Sequence, residues 1–165
     1  MPAAAMLLAD ASVDISTGAA GWSAWIHTPG ARPYWQAGRL HPINSNQAEL
    51  QAIHRGLQAL SEAGRLSGEV VVMSDSLTAL SALLGGIPGA APAPEGREIP
   101  PITGKLPPGL RGPLRTIRRL LADTDATLRL QHVKGHQTAD AAGWINSTVD
   151  WLARQHMRQA RGGIG

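Results

Sequence analysis

Apolar and polar residues along the first quarter of the chain follow the pattern of short strands. Three runs rich in apolar and aromatic residues, each bounded by turn residues, predict strands at residues 6–13, 20–26 and 34–40. Thr28-Pro29-Gly30 is a turn signal between the second and third runs. These three strands are therefore expected to form an antiparallel meander.

A helical periodicity follows the third strand. Leu50, Ile53, Leu57 and Leu60 recur three and four positions apart, which places one face of a helix over residues 46–63 against a core. Asn46 is a suitable N-cap, and Glu49, three residues later, would be the acidic partner of a capping box. Glu49 therefore has an ordinary structural explanation beside any chemical one.

Strands and helices alternate in the second half. Residues 70–73 form an unbroken β-branched and apolar run, which is typical of a strand buried on both faces in parallel pairing. The pattern predicts helices at residues 77–84, 114–122 and 145–161 and a last strand at 126–133. The expected fold is a single α/β domain over residues 1–165, with a mixed five-stranded sheet, three antiparallel strands followed by parallel ones, flanked by helices.

Residues 85–113 interrupt this regularity. The segment is rich in proline and glycine, has no aromatic residue and shows little apolar periodicity. We expect Gly85-Gly86 to end the preceding helix and the rest to form an exposed, partly mobile insertion instead of a second domain.

Composition narrows the class of protein. Residues of the hydrophobic class make up 43% of the chain, but no apolar run approaches the length of a membrane span. The chain has no cysteine, which excludes a disulfide framework and thiolate metal sites. A cytoplasmic protein without contact to a membrane is expected, and nothing calls for more than a monomer.

The charge is unevenly distributed. The net charge is +3, yet residues 97–134 hold eight basic and three acidic residues, and residues 151–165 hold three arginines and no acid. The remainder is acidic. Such a distribution suits a polyanion held by arginines against an acidic, metal-loaded centre, although a solvated basic face is an equally good explanation of the charge alone.

Four carboxylates stand out by position. Asp10 and Asp75 end apolar strands, Glu49 borders the apolar stripe of a helix, and Asp150 lies in the predicted terminal helix. Each has an ordinary explanation when taken alone. Brought together they would repel one another unless a cation neutralised them, and oxygen ligands without cysteine favour Mg²⁺ or Mn²⁺.

The four carboxylates lie within or beside short motifs with further polar residues. In chain order, the five motifs are Asp10-Ala-Ser12, Asn46-Gln-Ala-Glu49, Ser74-Asp75-Ser76, Val133-Lys-Gly-His136 and Asn146-Ser-Thr-Val-Asp150. In sequence and on their elements they resemble the type 1 ribonuclease H family, over most of the chain except residues 85–113. The resemblance implies a ribonuclease H-like fold and an endonuclease that hydrolyses the RNA strand of RNA/DNA hybrids. It also implies catalysis with two Mg²⁺ ions, with Mn²⁺ as an alternative, and 5′-phosphate and 3′-hydroxyl products.

The resemblance also assigns roles to individual residues. It implies that the metal-binding and catalytic carboxylates are Asp10, Glu49, Asp75 and Asp150, and that His136 assists proton transfer or product release. The substrate contacts that it implies are Ser12, Asn46, Gln47, Lys134 and Asn146.

Two departures from the family pattern keep alternatives open. Ala11 stands where the family usually has glycine, and the Pro/Gly-rich insertion replaces the basic, tryptophan-bearing helix of many bacterial members. A catalytically weak or inactive module that only binds hybrids therefore remains an alternative. The last motif, Asn146-Ser-Thr-Val-Asp150, is of a type that also occurs in retroviral and retroelement members of the family. A retroelement-type RNase H domain is therefore a second alternative.

Overall fold

An antiparallel meander opens the fold in the computed structural model, which describes residues 4–94, 96–134 and 157–158. Its strands are β1 (Ala5–Val13), β2 (Ala20–His27) and β3 (Tyr34–Leu40), and β2 pairs with both of the others. Gly30 has a φ of 79° in the turn between β2 and β3, a left-handed conformation that favours glycine. The predicted meander is confirmed.

A parallel half completes the sheet. It consists of β4 (Glu69–Ser74), β5 (Ala91–Pro92) and β6 (Thr127–His132), and the strand order is β3-β2-β1-β4-β6-β5. In the register of the parallel pairs, Leu8 lies opposite Met73 and Ser74 lies opposite His132. Because β1, β4 and β6 run in the same direction, their carboxyl ends meet at one edge of the sheet, where ligand sites of open α/β sheets collect.

Over residues 4–134 the structure describes three helices: α1 (Ser45–Glu62), α2 (Leu77–Gly86) and α3 (Arg111–Ala122). α1 packs on β1 and β2, and α3 packs on α1. The predicted apolar stripe of α1 is confirmed, because Leu50, Ile53, Leu57 and Leu60 are fully buried. None of the described helices combines the length and the apolar character that a membrane crossing requires.

The start of α1 corrects one prediction. Asn44, and not Asn46, is the N-cap, and its Oδ1 accepts a hydrogen bond from the Gln47 backbone N–H at 2.8 Å. Gln47 Oε1 in turn accepts from the Ile43 N–H at 2.8 Å. Gln47 therefore stands in the capping position that the sequence suggested for Glu49, so the prediction of Glu49 as the capping residue is wrong.

Gly85 and Gly86 correct a second prediction, because α2 continues through both of them. A Cβ added to Gly86 would lie 3.0 Å from Leu114 Cδ1, which shows how closely the last turn of α2 approaches α3. At Gly86, this close approach to α3 offsets the cost of glycine in a helix, about 1 kcal/mol.

The insertion is more ordered than its composition predicts. Ala91 and Pro92 pair with Arg129 and Leu130 of β6, which gives the sheet a short sixth strand instead of the expected five. Three apolar side chains from the same segment, Ile87, Ile99 and Leu110, are buried. The prediction of an exposed loop is wrong at these three positions, because widely spaced anchors hold the segment without forming a periodic pattern.

β1 is buried on both of its faces. Leu7 and Ala9 belong to the large core between the sheet and the helices, and Leu8 forms a smaller cluster with Met73 and Val133 on the other side. Successive side chains of a strand alternate between faces, so burial on both sides accounts for the continuous apolar run of this strand. The predicted terminal helix, residues 145–161, lies outside the described residues except for 157–158, which are helical.

Two glycine substitutions test the packing of the helices. A Cβ at Gly56 would lie 2.8 Å from Leu7 Cδ2 and closer still to Cδ1, whereas a Cβ at Gly85 would meet no atom within 4 Å. We expect Gly56→Ala to destabilise the protein by about 1–3 kcal/mol through overpacking. Gly85→Ala is expected to stabilise it by about 0.5–1 kcal/mol through helix propensity.

Thermal denaturation of both variants beside the wild type measures these effects, since about 1 kcal/mol moves the midpoint by about 2–4 °C in a chain of this size. A neutral Gly56→Ala would contradict the close contact between α1 and β1.

Candidate functional site

Three acidic residues from separate elements meet at the carboxyl edge of the parallel strands. Asp10, Glu49 and Asp75 each offer a carboxylate oxygen, and these oxygens lie within 4.8 Å of one another. The residues come from β1, from α1 and from the turn after β4. The structure thus brings together three of the four carboxylates predicted as metal ligands.

Asp10 is the most buried member of the cluster, with only 2% of its surface exposed. It lies directly opposite Ser23 of β2 in the antiparallel register, and Ser23 is fully buried. The Ser23 Oγ has no hydrogen-bond partner among the described residues. Directly opposed side chains of antiparallel strands are close neighbours, so this hydroxyl is a polar neighbour of Asp10 that the sequence did not single out.

Asp75 is held through its backbone. Ser74 Oγ accepts from the Ser76 N–H at 3.0 Å, and the Ser76 side chain caps α2 by accepting from the Ala79 N–H at 3.1 Å. From the neighbouring strand, the Val133 N–H donates to the Ser74 carbonyl at 3.0 Å. The end of β4 and the start of α2 are therefore both held by hydrogen bonds on either side of Asp75.

His132 supplies a further contact that the sequence did not reveal. Its Nε2 lies 3.2 Å from the Asp75 carbonyl oxygen and bonds to it across the parallel pair. A histidine that binds a backbone carbonyl leaves no ligand spacing in the sequence. The only signal is the parallel register, which places His132 opposite Ser74.

Glu49 is the fifth residue of α1, so its position depends on how that helix begins. Two side chains of this turn bind the end of the insertion: Asn44 Nδ2 donates to the Pro108 carbonyl at 3.0 Å, and Gln47 Nε2 donates to the Gly109 carbonyl at 2.9 Å. The insertion therefore braces the helix that carries Glu49. Gln47, predicted as a substrate contact, has both atoms of its amide in structural hydrogen bonds.

The other predicted residues divide into two groups. Ser12 and Asn46 are half-buried, Ser12 two residues beyond Asp10 on β1 and Asn46 in the first turn of α1, and Lys134 is exposed just after β6. Ser12 and Asn46 thus lie on elements that carry acids of the cluster, and Lys134 follows β6, the strand that pairs with β4. The remaining three lie outside the described residues: His136, Asn146 and Asp150.

The chemistry of the cluster is that of a divalent cation site. Three carboxylates this close repel one another, and burial of Asp10 raises the cost of its charge unless an opposite charge is near. Every offered donor atom is a carboxylate oxygen, the ligand that hard divalent cations prefer. The residues present therefore fit such a cation.

A family comparison agrees with the resemblance seen in the motifs. The model of the RNase H family matches residues 2–158, nearly the whole chain. No individually curated protein matches the chain by sequence.

Solved structures of similar fold are numerous, and three illustrate the range. LC11-RNase H1 was isolated from compost by a metagenomic approach. Its structure in complex with an RNA/DNA hybrid has a TM-score of 0.70 and 17% sequence identity, with 96% of this chain and 99% of that chain covered. RNase H1 from the halophilic archaeon Halobacterium salinarum has a TM-score of 0.67 and 19% sequence identity, with 96% of this chain and 100% of that chain covered. The N-terminal RNase H domain of Rv2228c from Mycobacterium tuberculosis was solved as a fusion with maltose binding protein. It has a TM-score of 0.63 and 20% sequence identity, with 95% of each chain covered. At these identities the likeness shows the fold.

The repulsion within the cluster is open to a direct test. In chelator, Asp75→Asn is expected to raise the free energy of unfolding by about 1 kcal/mol, because removing one of three close charges relieves repulsion. Added Mg²⁺ or Mn²⁺ should stabilise the wild type more than the variant, since an ion that binds the folded state raises the unfolding midpoint.

The matched control is Glu98→Gln, which removes an exposed carboxylate of the insertion that is not a member of the cluster. If both substitutions shift the midpoint equally, with and without the cation, the three carboxylates do not form a coupled site.

Proposed function

Because the chain belongs to the RNase H family, we propose that it is an endonuclease that hydrolyses the RNA strand of RNA/DNA hybrids, leaving 5′-phosphate and 3′-hydroxyl ends. The observation that carries the proposal is the convergence of Asp10, Glu49 and Asp75, whose carboxylate oxygens lie within 4.8 Å of one another. The structure of LC11-RNase H1 bound to an RNA/DNA hybrid supports the choice of substrate.

Asp10, Glu49, Asp75 and Asp150 hold two Mg²⁺ ions in this proposal, with Mn²⁺ as the alternative. When bound, the ions activate the attacking water and stabilise the leaving oxygen of the phosphodiester. Among these carboxylates, Asp10, Glu49 and Asp75 are placed by β1, by α1 and by the turn after β4, which belong to the sheet and its helix layer, so little reorganisation is needed when substrate arrives.

The remaining residues bind and orient the hybrid. Lys134 is an exposed cation just after β6 and is suited to a phosphate oxygen. Ser12, Asn46, Gln47 and Asn146 complete the proposed substrate contacts, with Glu49 near a ribose 2′-hydroxyl, the group that distinguishes RNA from DNA. Water adds to phosphorus, the P–O3′ bond breaks, and His136 carries a proton in this exchange or helps the product to leave.

We further propose that the enzyme acts as a cytoplasmic monomer. The alternative of an inactive binding module rests on Ala11 and the altered insertion, and neither removes a carboxylate. The insertion instead braces α1 through Asn44 and Gln47, which favours a working site.

Cleavage assays test the proposal. With Mg²⁺ or Mn²⁺, the wild type is expected to cut the RNA strand of a labelled RNA/DNA hybrid and to leave RNA/RNA and DNA/DNA duplexes intact. Asp75→Asn should lower kcat by about 10³-fold, which corresponds to about 4 kcal/mol of lost transition-state stabilisation.

Glu98→Gln again serves as the control, and it should retain wild-type kcat. Hybrid binding without cleavage in either cation would replace the proposed enzyme by a binding module on the same fold.

A second prediction concerns His132 as a positioning residue. Its Nε2 bonds the Asp75 carbonyl at 3.2 Å, so His132→Phe should misplace that carboxylate and lower kcat by about 10–100-fold with little change in KM. His132→Gln offers an amide in place of the ring nitrogen and should recover most of the activity.

Steady-state kinetics of both variants, beside their unfolding midpoints, decide the outcome. An equal loss in the two variants, or a rise in KM with kcat unchanged, would contradict a role that acts through the position of Asp75.

A further inference from the structure

A stripe of four arginines runs along α3. Arg111, Arg115, Arg118 and Arg119 stand at positions i, i+4, i+7 and i+8, which share one face of a helix. All four are exposed, and α3 contains no acidic residue. We call this set of four residues the arginine stripe.

None of the four side chains of the arginine stripe forms an ion pair with any described residue. Arg129, by contrast, pairs with Glu69 at 3.4 Å. Four like charges on one helical face, without a counter-charge among the described residues, weaken the helix by repulsion unless a polyanion lies against it.

The spacing of the stripe suits a phosphate backbone. Residues 111 to 119 span eight steps along the helix, and at about 1.5 Å per residue this is a length of about 12 Å. Duplex nucleic acid carries a phosphate about every 3.4 Å of axis on each strand. The arginine stripe is therefore within reach of three or four successive phosphates.

The place of α3 in the fold links the stripe to the carboxylate cluster. Gly109, two residues before α3, accepts the Gln47 side chain, and Gln47 lies two residues before Glu49 on α1. The amino end of α3 has no side-chain cap and no acid in its first turn, so the helix dipole adds to the positive field there. The stripe therefore begins two residues after this contact, on a helix that packs on α1, the helix that carries Glu49.

We propose that the arginine stripe binds the phosphate backbone of the hybrid duplex that flanks the cleaved segment. This inference rests on the proposed function for the identity of its ligand. A membrane surface fits less well, because the exposed large apolar side chains among the described residues are Ile15 and Ile43, and neither is in α3. The stripe supplies sequence-independent affinity through phosphates outside the segment that lies at the carboxylate cluster, so a hybrid that covers only this segment does not use it.

Binding to hybrids of two lengths tests the proposal. Dissociation constants are measured by fluorescence anisotropy in an Asp75→Asn background, which leaves the hybrid uncut, for duplexes of roughly 8 and 20 base pairs between about 50 and 200 mM salt. In the variant with all four arginines changed to glutamine, the longer hybrid should bind about tenfold or more weakly, and the slope of log K against log salt should fall by about 2 to 4. The shorter hybrid should bind within about twofold of the parent.

Two variants separate charge from structure. Arg→Lys at the same four positions keeps the charges and should retain the salt slope, and Arg32→Gln removes an exposed arginine from the β2–β3 turn and should change neither hybrid. Equal weakening for both lengths, or an unchanged slope for the longer one, overturns the proposal. Loss of binding to anionic vesicles with unchanged hybrid binding would assign the stripe to a membrane surface instead.

The two proposals can fail separately. Wild type that binds hybrid but does not cleave it refutes the proposed function and leaves the arginine stripe to be judged by the length and salt dependence. If the wild type cleaves the hybrid but the glutamine variant shows no length-dependent change in binding, the proposed function stands and the proposed role of the arginine stripe is refuted.

Discussion

Parallel pairing of β1 with β4 is the constraint on which the site depends. Asp10 and Asp75 are distant in the chain, yet the register that sets Leu8 opposite Met73 brings them to one edge of the sheet. α1 approaches β1 closely enough at Gly56 to hold Glu49 over the same edge. Like charges in such a cluster favour separation, so the packing energy of sheet and helix must hold the carboxylates together until a cation neutralises them.

Much of this arrangement could be predicted from the sequence because it follows from local periodicity. The strands of the meander, the buried stripe of α1 and the acids at strand ends all leave regular patterns. The sequence pointed to Asn46 and not to Asn44 as the N-cap, since hydrogen bonds to Pro108 and Gly109, far along the chain, fix the first turn. His132 was missed for a similar reason, because its bond to the Asp75 carbonyl depends on strand register and not on neighbouring residues.

The insertion shows where compositional reasoning fails. Proline and glycine are typical of mobile loops, but three separated apolar residues, Ile87, Ile99 and Leu110, are enough to anchor the segment to the core. Its end then supports the start of α1. A segment without secondary-structure periodicity can in this way support the helix that carries Glu49, and the anchors become visible only when the core that receives them is known.

The short strand β5 has a consequence for self-association. It forms one edge of the sheet, and an exposed edge offers backbone groups to which another chain can add a strand. Pro92 has no backbone N–H to donate, and β5 is only two residues long. The short length of β5 and its proline therefore leave few backbone groups for another strand to pair with at this edge. This protects the protein against edge-to-edge aggregation at high concentration.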